Sequence, residues 1–111
     1  MQKPSLEEMI DDIIILAREK HWGIEPSEVN VPEKFALLHS EVSEAYEAFR
    51  RDNFDGKDGV REELADIAIR LFHLSAIFKI DLAAEIKKKI ERNRTRDWNH
   101  KNETLMNKDA K

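Results

Sequence analysis

The chain has 111 residues, of which 41% are hydrophobic and 38% charged, with a formal net charge of −4 and no cysteine. That length suits one domain, or one subunit of an assembly with a modest core, and the negative balance argues against a general nucleic-acid binder, which needs a basic surface to displace counterions. Without cysteine there are no disulfides or thiolate metal sites; Met1 to Ser5 leads into an acidic amphipathic segment, so neither a signal peptide nor a membrane span is expected, and the expected setting is the cytoplasm.

Only three glycines and three prolines interrupt the chain, and its β-branched residues never alternate with polar ones for long enough to make a strand, so the pattern is all-α. Ser5 with Glu8 forms a capping box, after which Leu6, Met9, Ile10, Ile13, Ile14 and Ala17 recur at helical spacing up to about Lys20. A loop from Gly23 to Asn30 follows. Asn30 with Glu33, and Pro32 in the first turn, open a second helix running to about Asp52, with Phe35, Leu38, Val42, Ala45, Tyr46 and Phe49 as its expected buried stripe. Asn53 to Gly59 reads as a plain turn, and Asp58 as the N-cap of a third helix that runs to about Phe78. Its expected stripe is Val60, Leu64, Ile67, Leu71, Leu74, Ser75 and Phe78, while Ile69, Phe72 and Ile77 fall outside it and point to burial on more than one side. Asp81 caps a fourth helix from Leu82 to about Arg96. The expected architecture is one helical domain over residues 1–96, a four-helix bundle subunit whose core a dimer or tetramer completes, with a polar, frayed tail over 97–111.

The second and third helices each carry an acidic pair at i, i+3: Glu41 with Glu44, and Glu63 with Asp66. This spacing puts both carboxylates of a pair on one face, so two packed helices can direct four carboxylates at one point. Surface acids are the ordinary reading of one such pair. Two pairs on successive helices, both bordering apolar residues, favour a cation, because crowded carboxylates near a core need a cation or a shared proton. Oxygen-only donors suit Mg²⁺, with Mn²⁺ as a substitute, and a substrate phosphate is a frequent co-ligand of Mg²⁺. A di-iron bundle would need Glu-x-x-His; Ala36 and Arg70 stand three residues before His39 and His73, so these histidines are expected to pack or cap. Lys89, Asn93 and Arg96 share a face of the fourth helix, either to hold phosphate oxygens or to complement the helix dipole. Arg70 is either a phosphate contact or a partner of the acids, and Trp22 either stacks on a base or anchors its loop.

Three stretches together resemble the MazG-like family of all-α nucleoside triphosphate pyrophosphohydrolases: Leu37 to Ala48, with its ExxE; Glu62 to Arg70, with its ExxD; and Ile80 to Leu82 followed by Lys89-x-x-x-Asn93-x-x-Arg96. The resemblance covers roughly residues 33–96. It implies hydrolysis of a (d)NTP between its α and β phosphates to a (d)NMP and pyrophosphate, in a homodimer or homotetramer. By position it implies Mg²⁺ ligands at Glu41, Glu44, Glu63 and Asp66, phosphate contacts at Lys89, Asn93 and Arg96, and a base contact at Trp22. In such a site Glu41 or Glu44 orients or deprotonates the attacking water. The chain departs from the pattern at Lys79, where relatives often carry glycine before Ile-Asp, and at Asp97-Trp98. Two rival readings exist: a non-catalytic nucleotide-binding or regulatory helical module, and a structural dimer in which Arg50, Arg51, Arg61 or Arg70 pairs with the acids across the interface.

Overall fold

A computed structural model of the chain describes residues 2–96, so the tail expected over 97–111 lies outside the described residues. Those residues are all-helical, with no strand: α1 (Leu6–Glu19), a 3₁₀ turn at Pro26–Glu28, α2 (Val31–Arg50), α3 (Val60–Ile77) and α4 (Leu82–Thr95). No helix among them is long and apolar enough to cross a membrane.

Local chemistry sets the helix starts. The Ser5 hydroxyl accepts from the Glu8 N–H at 3.1 Å, and Glu8 Oε1 accepts from the Ser5 N–H at 2.9 Å, closing the capping box. Asn30 and Asp81 each accept from the N–H three residues on, both at 3.1 Å. The start of α3 differs from expectation. Asp58 sits one residue too early, in the left-handed region at φ +59°, and the N-cap is Gly59, which has no side chain to offer. The Asp58 N–H donates instead to Glu62 Oε1 at 2.9 Å. Space demands the glycine: a Cβ there would lie 2.9 Å from the Asn53 and Gly56 backbone oxygens and from the Asn53 amide oxygen. What reads as a plain turn is therefore a pinned loop. The Asn53 side chain accepts from the Gly56 N–H and donates to the Lys57 carbonyl, both at 3.0 Å, and the Asn53 carbonyl accepts from the Val60 N–H at 2.9 Å.

The ends of α1, α2 and α3 share one motif. His21, Asp52 and Lys79 each adopt φ +58°, and the next residue's N–H reaches back five residues, from Trp22 to Ala17, Asn53 to Ala48 and Ile80 to Ser75. For a residue with a Cβ this conformation costs roughly 1–2 kcal/mol. Lys79 is thus strained where glycine would not be, and its ammonium meets Glu25 at 2.8 Å.

α2 and α3 form an antiparallel hairpin, joined by Val60 to Asn53 beside the loop and by Arg70 to Glu41 farther along. α1 lies against α3, and α4 touches the other helices only sparsely. Ile13, Ala17, Ala45, Ala48, Leu74 and Ile77 are the buried apolar residues. This corrects the expected stripe of α2. Phe35, Val42, Tyr46 and Phe49 are each more than half exposed, and of the expected set only Ala45 is buried, with Leu38 half-buried. The inward seam is instead Lys34, Leu38, Glu41, Ala45 and Ala48, and the α3 seam is Glu63, Ile67, Arg70, Leu74 and Ile77. Both repeat at steps of four and three residues, the spacing of a helix–helix seam. Leu64, Leu71 and Phe78 of α3 are exposed as well. Apolar count misplaces the α2 stripe because charged residues and alanines occupy the contact face, while the bulky apolar residues face away from α3.

Candidate functional site

In the middle of the hairpin, Glu41 and Glu44 from α2 and Glu63 from α3 each place a carboxylate oxygen within 4.8 Å of the others. Glu63 is only 5% exposed, Glu41 is half-buried and Glu44 is exposed. The Arg70 Nε–H donates to Glu41 Oε2 at 2.8 Å, so the pairing with an acid is formed within the chain. Glu41 Oε1 and Glu63 Oε1 are buried with no hydrogen-bond partner among the described residues.

Burial, then hydrogen bonding to Glu41 and the charges of Glu41, Glu44 and Asp66, push the Glu63 carboxyl up to about 7. Ionised carboxylates only accept, so the two groups can bond only by sharing a proton; with both ionised, Glu41 Oε1 and Glu63 Oε1 are left without a partner. Asp66 stands outside the trio. It shares a cavity wall with Glu41 and Arg70, and its carboxyl is raised first by desolvation and then by the Glu41 charge, with Arg70 opposing.

Two cavities flank the acids. The larger, about 560 Å³, lies among α1, α2 and α3; Leu16, Leu37 and Ile69 are apolar walls, and Trp22, Lys34 and His73 line it with Glu41, Asp66 and Arg70. The smaller, about 490 Å³, meets Glu44 and Glu63 with Arg51 and Lys57 and is bordered by the pinned loop.

His73 is buried, as expected of a packing histidine, and its Nε2–H donates to the Gly23 carbonyl at 2.7 Å. Its ring lies 5.8 Å from that of Trp22. These contacts fasten the loop after α1 to α3, with Gly23 itself at φ +91°. Trp22 therefore anchors its loop and is 39% exposed. Lys89 and Asn93 lie on α4 and Arg96 is its C-cap; none of the three lines either cavity.

Three cations stand beside the acids, of which the expectations passed over Lys34 and Lys57 and named Arg51 only as a partner of the acids. Lys34 precedes Glu41 by seven residues on the same face of α2, a spacing legible in the sequence. Arg51 and Lys57 come from the end of α2 and the loop, where no periodicity marks them. Within the chain, Arg50 and Arg51 meet Glu47, and Arg61 meets Asp55. No family model, curated protein or solved structure matches the chain.

Proposed function

We propose that this chain is a Mg²⁺-dependent nucleoside triphosphate pyrophosphohydrolase, cleaving a (d)NTP between the α and β phosphates to a (d)NMP and pyrophosphate. The observation that carries this reading is the convergence of Glu41, Glu44 and Glu63 within 4.8 Å, with two buried oxygens lacking partners. The ExxE and ExxD resemblance supports it separately. An all-oxygen donor set with orphaned acceptors fits a hard cation, so Glu41, Glu44 and Glu63 would hold Mg²⁺, or Mn²⁺ in its place, with Asp66 beside them. Bound there, the ion would neutralise triphosphate charge and acidify a water.

The chain's own groups divide the remaining work. Arg70 fixes Glu41, which leaves Glu44, exposed to solvent, to take the proton of the water that attacks phosphorus as pyrophosphate departs in line. Arg51 and Lys57, across the smaller cavity, receive the departing phosphate oxygens. Trp22 stacks on the base in the larger cavity; Lys89, Asn93 and Arg96, which line neither cavity, enter as phosphate contacts only on the resemblance.

In this reading the working unit is a homodimer or homotetramer that needs no nucleic acid or membrane. Its support is the outward face of Phe35, Val42, Tyr46 and Phe49, since burying a large apolar side chain stabilises by roughly 1.5–3 kcal/mol. Light scattering of the purified protein is expected to give a dimer or tetramer mass; a monomer at every concentration rejects the assembly.

Incubation with Mg²⁺ and a panel of ribo- and deoxyribonucleoside triphosphates is expected to yield monophosphate and pyrophosphate in equal amounts from one or a few of them. Nucleotide-dependent stabilisation without pyrophosphate release would transfer the reading to the non-catalytic binding module.

A further inference from the structure

Lys34 is half-buried on the inward seam of α2 and lines the larger cavity. Among the described residues its side chain makes neither a hydrogen bond nor an ion pair. Of the cavity's acids, Glu41 is engaged by Arg70, and Asp66 lies beside the same guanidinium. An ammonium that lines the cavity and is taken up by no acceptor among the described residues is free to donate to a ligand there.

Position indicates what that acceptor is. Lys34 stands two turns, about 10 Å of helix, before Glu41. Leu37 lies between the two on α2, Leu16 and Ile69 are further apolar walls of the cavity, and the exposed ring of Trp22 sits against His73, one turn beyond Arg70 on the antiparallel α3. The cavity thus has acids and Arg70 at one end, a flat-ring platform and apolar walls between, and a lone donor at the other end. A nucleotide with its phosphates at the acids and its base against Trp22 brings the far edge of the base to Lys34. This inference rests on the nucleotide reading above.

A lysine ammonium only donates. A base with an exocyclic oxygen at that edge offers it an acceptor, whereas one with an exocyclic amine sets donor against donor. We infer that Lys34 is a specificity-determining residue that selects 6-oxopurine and 4-oxopyrimidine nucleotides over their amino counterparts.

The pairs ITP with ATP, and UTP with CTP, exchange oxo for amino at this edge. In the wild type kcat/KM is expected to favour the oxo member of each turned-over pair by about tenfold or more. Lys34→Met should bring the ratio towards one by lowering turnover of the oxo member, and Lys34→Arg should keep the preference. A wild type with no preference, or one favouring the amino member, overturns the inference. So does a Lys34→Met variant that slows both members equally, the result expected of a phosphate contact or a structural role.

Should no triphosphate be turned over, the enzyme reading fails by itself, and base recognition is read without phosphates. Quenching of Trp22 fluorescence in a Trp98→Phe background then compares inosine with adenosine and uridine with cytidine. Quenching restricted to the oxo nucleosides upholds the inference, and unselective or absent quenching overturns it.

Discussion

Glu63→Gln is expected to make the metal-free protein more stable at pH 8 while reducing Mg²⁺-dependent pyrophosphate release at least about a hundredfold. Glu63 is the most deeply buried of the acids; Glu41, Glu44 and Asp66 all oppose its charge, and its Oε1 lacks a partner. Glutamine keeps the shape, removes the charge and offers an N–H to Glu41. The gain is on the order of 1–3 kcal/mol, read as a higher midpoint in urea or heat. A residue kept for stability would give the opposite sign. Chemical denaturation beside a pyrophosphate assay separates the two: lower stability with full turnover refutes a ligand role for Glu63.

Stability without metal is expected to fall as pH rises from 5 to 8. The Glu63 carboxyl titrates near 7 in the folded chain against 4.5 for an ordinary glutamate, so between these values the folded state holds the extra proton. The protonated group's contribution is complete below 4.5 and is lost as pH rises through about 7. Asp66, also raised, acts in the same direction. The melting temperature should drop by roughly 5 °C or more across the interval. Mg²⁺ should reverse the trend, because cation and proton compete for the same oxygens: its stabilisation, about 2.7 kcal/mol at a hundred times Kd, belongs to pH 8 and fades at pH 5.5. Scanning calorimetry at both pH values, with and without Mg²⁺, reads all four states. Equal stabilisation by Mg²⁺ at both would remove the trio as its site, and in Glu63→Gln most of the metal-free slope should vanish.

The all-α class was legible because its signals are local. Ser5 with Glu8, Asn30 and Asp81 cap the helices they were expected to cap, each through a bond spanning three residues. Asp58 defeated the same rule because the left-handed step before α3 depends on loop packing around Asn53 that a capping pattern does not encode. The α2 seam was hidden for a different reason. Periodicity finds the greasiest face, and on this helix Lys34, Glu41 and two alanines take the contact with α3. The acidic pairs were legible from i, i+3 spacing, which brought Glu41, Glu44 and Glu63 together. That spacing cannot foresee Asp66 lying outside the trio, because the offset depends on how α2 and α3 are rotated about their axes.

Ala45 and Ala48, the buried small residues of the α2 seam, offer no ligand atom yet bear on which ion the acids would accept. Mg²⁺ asks for oxygens at about 2.0–2.1 Å, and Ca²⁺ is content at about 2.3–2.6 Å with more of them. Glu41 and Glu44 are carried by one helix and Glu63 by the other, so the gap between the backbones sets the aperture. Two methyl groups act as its spacers. Ion preference in this hairpin would then drift through methylenes added at positions 45 and 48, with every carboxylate still in place.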